Sequence, residues 1–91
     1  MRTDTKQNCG DRLKRVEGQV RGIARMIEED RYCIDVLTQI RAVRAALRSV
    51  EDEVLKDHVE HCVEGAIASG DGADQRRKVQ ELLTVLTQRD R

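Results

Sequence analysis

The chain has 91 residues, 38% hydrophobic and 37% charged, with one tyrosine, no phenylalanine or tryptophan, and no proline. This length fits a single domain, residues 1–91. Its core would be thin, and a domain of this size usually needs disulfides, a metal or a partner chain for stability. No apolar run approaches the roughly 20 residues of a membrane span, and the N-terminus lacks the apolar segment of a secretory signal. We therefore expect a cytoplasmic protein with no membrane partner.

The charge is segregated along the chain although its sum is zero. Residues 1–25 carry a net +4, residues 36–50 carry +3, and residues 51–74 carry −7. A basic region can attract nucleic acid whatever the total charge is. Ordinary solvated helix faces are the alternative explanation of the same pattern.

The first predicted element is a helix over about residues 11–29, preceded by a flexible tail at residues 1–10. The absence of proline and the abundance of Arg, Glu, Leu, Val and Ala favour an all-α chain. In the first segment the apolar residues fall three and four apart, as on one face of a helix. These residues are Leu13, Val16, Val20, Ile23 and Ile27.

The second predicted element is a long helix over about residues 31–69, with Asp30 as its N-cap. The unbroken pattern from Cys33 to Ser69 makes about 37 residues, or about 55 Å at 1.5 Å per residue. A chain of this size cannot cover such a helix, so a second chain alongside it is predicted.

A turn at residues 69–72, with the sequence SGDG, separates the long helix from a third helix over about residues 74–88. Gly70 or Gly72 is expected to end the long helix. Asp71 or Asp74 is expected to cap the third helix. Residues 88–91 are expected to fray.

Three residues of the long helix form a candidate metal site: Cys33, His58 and Cys62. His58 and Cys62 are four residues apart and therefore share one helix face. Cys33 lies on the same face, but 25 residues before His58, about 37 Å along a straight helix. Two long helices packed antiparallel, crossing near Ala46, would bring Cys33 of one chain to His58 and Cys62 of the other.

Two thiolates and an imidazole are soft ligands, and three of them suit trigonal Cu(I) better than structural zinc, which prefers four. A half-buried histidine beside a buried cysteine, with no metal, is the plainer alternative. His61 points about 100° away from Cys62 around the helix and is expected at the surface. Cys9 is expected to be a free, exposed thiol. The odd number of cysteines argues against a disulfide framework.

Two stretches resemble the copper-sensitive operon repressor family: residues 12–47, beginning RLKRVEGQVRG and including the Tyr32-Cys33 pair, and the HVEHC motif at residues 58–62. The resemblance implies a repressor that binds operator double-stranded DNA without metal and releases it when Cu(I) binds. It implies an antiparallel four-helix-bundle dimer that assembles into a dimer-of-dimers tetramer. By the same resemblance, Cys33, His58 and Cys62 are the ligands, and Tyr32 and Glu81 link His58 to the third helix.

Other branches of the family respond to other inducers, and the residues of this chain fit them less well. Nickel and cobalt sensors use more histidines, including one near the N-terminus. Formaldehyde sensors lack the second cysteine, and persulfide sensors lack the histidine. Cys9 is not needed by copper sensors, which leaves a thiol-directed sensor as the rival within the family.

A DNA-binding surface is predicted from basic residues on the first two helices. On the second helix they are spaced to form one row that faces outward. Repeated in an oligomer, such rows would contact phosphates along a duplex, with steep salt dependence. The predicted residues are Arg12, Lys14, Arg15, Arg21, Arg41, Arg44 and Arg48.

No catalytic arrangement is present in the sequence: there is no Ser/His/Asp order, no glycine-rich phosphate loop and no pair of carboxylates in an apolar setting. We therefore expect no enzymatic activity. A small helical copper carrier that binds no DNA is the alternative from another functional class.

Overall fold

The computed structural model of the chain describes residues 1–88, which form three α-helices and no strand. Helix α1 spans Thr3–Glu28, α2 spans Cys33–Ser69 and α3 spans Gly72–Gln88. The prediction of an all-α chain with a long central helix is confirmed, and α2 has the 37 residues expected. Of the residues expected to fray, Gln88 is the last residue of α3, and residues 89–91 lie outside the described residues. Within the described part, no helix is long and apolar enough to cross a membrane.

Helix α1 begins eight residues earlier than the apolar pattern indicated, so the predicted flexible tail at residues 1–10 is wrong. Thr5 and Cys9 are buried and lie four residues apart, and Val16, also buried, follows Cys9 after two further turns. This spacing places all three on one helix face. The face was missed because its first two members are not strongly hydrophobic.

Asp30 closes α1 instead of opening α2, which corrects its predicted role as an N-cap. Its φ of 54° places it in the left-handed region. The Asp30 N–H donates to the Ile27 carbonyl at 3.1 Å, and the Arg31 N–H donates to the Met26 carbonyl at 2.9 Å. These two bonds form a Schellman motif, which satisfies carbonyls at the end of α1.

The stability of variants at Asp30 is expected to depend on how well the new residue tolerates a left-handed backbone conformation. Asp30→Val should lower the free energy of unfolding by about 1–2 kcal/mol relative to Asp30→Gly, because a Cβ branch is crowded there and glycine is not. Thermal and urea unfolding of the two variants would measure this. Equal stabilities would mean that the junction does not keep this conformation in solution.

The turn between α2 and α3 follows its prediction. Gly70 has a φ of 63° and ends α2, as a glycine after a helix often does. Asp71 caps α3, because its carboxylate accepts the Ala73 N–H at 3.0 Å. One turn into α3, a hydrogen bond from the Arg77 guanidinium holds the pKa of Asp74 below its ordinary value.

The chain divides into two compact units, Met1–Leu55 and a second that begins at Lys56. In the first unit α1 and the first part of α2 form an antiparallel pair, since Cys9 contacts Glu53 and Arg12 contacts Ser49. Val16, Val43 and Val50 are buried there. In the second unit the Gln75 side chain of α3 donates to the Ala66 carbonyl of α2 at 3.1 Å.

Much apolar surface stays exposed on the single chain. Leu13 and Val20 of α1 are 41% and 49% exposed, and Leu37 and Leu47 of α2 are 46% and 43% exposed. Among residues 1–88, no side chain is fully buried. The core is therefore as thin as the composition indicated, and the exposed faces are large for a chain of this size.

Candidate metal centre

His58 and Cys62 lie one turn apart on α2, in the second unit. Cys62 is buried, with 6% of its surface exposed, whereas His58 is exposed. Side chains four residues apart on a helix are neighbours. Their i, i+4 spacing on one helix is the spacing at which a sulfur and an imidazole can bind one ion, and that they do so stays a prediction.

Cys33 is the first residue of α2 and is exposed, in the first unit. Cys9, Cys33 and Cys62 are all free thiols. Free thiols and an imidazole are donors that suit Cu(I). In the described part of a single chain, no three His, Cys, Asp or Glu side chains form a group that could hold a metal ion. That a second chain completes the set of three metal ligands stays a prediction.

Tyr32 immediately precedes α2, and its side chain is 68% exposed. Its carbonyl accepts the Val36 N–H at 3.2 Å, which begins the hydrogen bonding of the helix. Glu81 lies in the middle of α3 and is exposed. Both side chains have room for a partner, and their predicted link to His58 stays a prediction. His61 is exposed, as expected.

Cys9 is buried, with 5% exposure, so the expectation of an exposed thiol is wrong. Its Sγ donates to Oε2 of Glu53 at 3.6 Å, between α1 and α2. Reactive cysteines are partly exposed and lie in electropositive surroundings. Cys9 is not exposed, and its thiol contacts a carboxylate of the neighbouring helix. This contact assigns the thiol to helix packing and leaves Cys33 as the exposed thiol.

The seven predicted DNA-binding residues are all exposed, as the outward-facing rows required. Arg12 makes two contacts with α2 of the same chain. Its Nη1 forms an ion pair with Glu53 Oε2 at 3.3 Å and donates a hydrogen bond to Ser49 Oγ at 3.0 Å. Arg48 also has a contact within the chain. The other five predicted DNA-binding residues take part in no ion pair among residues 1–88. These are Lys14, Arg15, Arg21, Arg41 and Arg44.

Sequence reasoning missed Glu53 and Ser49 as partners of Arg12. Helical periodicity shows which residues share a face of one helix, but not which residues meet across two helices. The acidic run after residue 50 was visible, yet nothing in it singled out Glu53 before α1 and α2 were aligned.

A family model described as metal-sensitive transcriptional repressor matches residues 5–88. The chain belongs to this family. The resemblance to copper-sensitive operon repressors drawn from the sequence is thereby confirmed, together with the assignment to transcriptional repression. Transcriptional repressors are not an enzyme class, and membership of the family implies DNA binding and oligomerisation.

Copper-sensing members of the repressor family match most of the chain. The copper-sensing transcriptional repressor RicR of Mycobacterium tuberculosis is 66% identical over 73 residues, covering 79% of this chain and 76% of the relative. The copper-sensing transcriptional repressor CsoR of Bacillus subtilis is 54% identical over 80 residues, covering 88% and 76%.

The solved structures of one repressor and one transcriptional regulator share the fold of the chain. The copper-sensing repressor CsoR with Cu(I) from Geobacillus thermodenitrificans NG80-2 superposes with a TM-score of 0.87 at 43% identity, covering 100% of this chain and 92% of that one. The nickel-responsive transcriptional regulator InrS superposes with a TM-score of 0.76 at 38% identity, covering 86% and 88%.

Proposed function

We propose that the chain is a Cu(I)-responsive transcriptional repressor that binds operator DNA without metal and releases it when Cu(I) binds. The observation that carries this proposal is the 66% and 54% identity to two copper-sensing repressors. The Cu(I) in the Geobacillus relative supports the choice of metal. A repressor acts on the chromosome, so we place the protein in the cytoplasm.

Cys33, His58 and Cys62 are the residues we propose to hold the ion, one site per chain. Bound there, Cu(I) supplies a soft, charged centre that joins two sulfurs and one nitrogen. Cys33 begins α2, and His58 and Cys62 lie 25 and 29 residues further along the same helix. We infer that two antiparallel chains share each site, with Cys33 from one and His58 and Cys62 from the other.

The exposed apolar faces support the proposed antiparallel dimer and its assembly into a tetramer. Leu37 and Leu47 of α2 lie exposed between the ligand positions. The small residues Ala42 and Ala45 are exposed in the same part of the helix and would allow a second helix to approach closely. Burial of these faces would supply the apolar contacts that a single chain lacks.

The exposed basic residues of α1 and α2 are the proposed DNA surface. Arg15 and Arg44 take part in no ion pair among residues 1–88, so their charge is available to phosphate. Residues 1–88 contain no short helix-turn-helix, since their three helices have 26, 37 and 17 residues. Readout is therefore proposed to rest largely on the shape of the duplex.

Arg44→Ala is expected to weaken binding of the metal-free protein to DNA. The slope of log affinity against log salt should become shallower by about 0.9 for each phosphate that the variant no longer neutralises, because fewer counterions are released. Fluorescence anisotropy across a salt series measures the slope. Arg76→Ala on α3 is the matched control, since Arg76 donates to the Gly72 carbonyl of its own helix. Equal slopes for the two variants would move the DNA surface elsewhere.

The proposed inducer is tested by a parallel titration of the protein–DNA complex. Cu(I), Ni(II), Zn(II), formaldehyde and a persulfide donor are added separately while anisotropy reports release of the duplex. Release by Cu(I) at the lowest ratio to protein supports the proposal. Release by the persulfide donor alone would favour the thiol-directed sensor, for which the exposed Cys33 thiol is the available group. Copper binding without DNA binding would indicate the carrier.

A further inference from the structure

A polar cluster joins α1 to α2 in the first unit and centres on one carboxylate oxygen. Oε2 of Glu53 accepts the Cys9 thiol at 3.6 Å and lies 3.3 Å from Nη1 of Arg12. The same Nη1 donates to Ser49 Oγ at 3.0 Å. The Glu53 side chain is 27% exposed and that of Arg12 is 46% exposed. The carboxylate is thus fixed from two sides, while the arginine still reaches solvent.

Arg12 is also one of the basic residues of the proposed DNA surface. A phosphate would need the same guanidinium charge that the carboxylate already neutralises at 3.3 Å. A partly exposed ion pair of this kind is a weak interaction, because solvent and salt screen it. It is weak enough for phosphate to displace, yet strong enough to lower affinity for DNA. Lys14 and Arg15, the nearest basic residues on α1, take part in no such pair among residues 1–88.

We propose that Glu53 competes with DNA phosphate for Arg12 and so holds the DNA affinity of the metal-free protein below what its basic surface would otherwise give. This inference rests on the proposed function and adds to it a residue that sets repressor affinity. Cys9 has a part in it, since its thiol contacts the same oxygen and helps to fix the carboxylate beside Arg12.

The first measurement is the affinity of the metal-free, full-length Glu53→Gln protein for DNA. The probe is a labelled duplex that the parent protein has selected from a random-sequence pool. Glutamine keeps the size of the side chain and removes its charge. We expect binding about three- to tenfold tighter than the parent near 0.1 M salt, because the competing charge is gone from every bound copy. The salt slope should steepen as Arg12 becomes free to replace a counterion.

The matched control is Glu28→Gln, which removes the same charge from an exposed position at the other end of α1. It should change affinity less than twofold. Glu53→Asp gives a second test, because the shorter side chain withdraws the charge from Arg12 without removing it, and an intermediate gain is expected. In an Arg12→Ala background, Glu53→Gln should give no gain beyond that of the control.

The outcomes separate the inference from the function on which it rests. If the parent enriches no duplex from the pool, the proposed function fails. If the parent binds its selected duplex but Glu53→Gln gains no more than Glu28→Gln, the competition is refuted. A gain that survives in the Arg12→Ala background also refutes it, because the carboxylate would then repel DNA without acting on Arg12.

Discussion

A Cys33→Ala variant is expected to lose at least about 100-fold in Cu(I) affinity. Loss of a residue that hydrogen-bonds to a metal ligand typically lowers metal affinity 10- to 100-fold. Loss of a ligand itself should lower it at least as much. Competition with a Cu(I) chelator of known affinity measures the change. X-ray absorption on the loaded parent should show two sulfurs and one nitrogen. Four ligands, or a site unchanged by Cys33→Ala, would refute the proposed set.

Cys9→Ala is the matched control for loss of a thiol. Cys9 is buried against Glu53 and lies outside the proposed donor set, so Cu(I) affinity should stay within about twofold of the parent. If Cys9→Ala also lowered Cu(I) affinity, loss of a cysteine would be acting through the stability of the fold and not through a missing ligand.

Mixed dimers test whether two chains share each site. A Cys33→Ala chain retains His58 and Cys62, and a Cys62→Ala chain retains Cys33. In an antiparallel dimer of the two, one site has all three ligands and the other has lost both cysteines. We expect one normal Cu(I) site in each mixed dimer and none in either pure variant. If mixed dimers separated by two different affinity tags have no normal site, the antiparallel arrangement is wrong.

A His58→Ala variant is expected to keep substantial Cu(I) binding and to lose most copper-driven release of DNA. Two cysteines can hold Cu(I) without the imidazole, since soft thiolates are its preferred ligands. Coupling between two sites is typically about 1–3 kcal/mol, or roughly 5- to 150-fold in affinity. Most of that factor should vanish, so saturating Cu(I) would change DNA affinity by less than about threefold in the variant.

The reason lies in the second ring nitrogen of His58. An imidazole that binds a metal through one nitrogen keeps an N–H on the other, and that N–H needs an acceptor. The Tyr32 hydroxyl and the Glu81 carboxylate are the proposed acceptors, and both side chains are exposed and able to take a partner. Without metal, no coordination bond fixes which ring nitrogen of His58 carries the hydrogen. The hydrogen bond would therefore exist in one state of the repressor and not in the other, as coupling requires.

DNA affinity with and without saturating Cu(I) is the measurement for each variant. Glu81→Ala should show a weaker form of the same defect with Cu(I) affinity near that of the parent. His61→Ala is the control, since His61 is an exposed neighbour on another helix face. It should release DNA as the parent does. If His58→Ala also releases DNA fully, the histidine is a ligand and nothing more.

The long helix and the turn after it could be predicted from the sequence because their signals are local. Apolar periodicity continues through α2 to Ser69, and Gly70 has a conformation that favours glycine. Asp30 was misassigned because aspartate suits both a helix N-cap and a left-handed residue after a helix. The choice depends on where α1 ends, which single-residue preferences do not determine.

The candidate site could be predicted as a set of residues but not as an arrangement in one chain. Cys33, His58 and Cys62 are proposed from chemistry and spacing, and their proposed assembly requires a second chain. The contact between Arg12 and Glu53 depends on how α1 and α2 align, a tertiary property that neither helix encodes alone. Cys9 was misplaced because a flexible tail was assumed where the chain is helical.

The helical start of α1 affects how the protein can be produced. Helix α1 begins at Thr3, and buried Thr5 lies within its first turn. An affinity tag fused directly to the start of α1 would extend a packed helix, and we expect it to disturb the contact that holds Arg12. A glycine-rich spacer, or removal of the tag by a protease, keeps purification from altering the DNA affinity being measured.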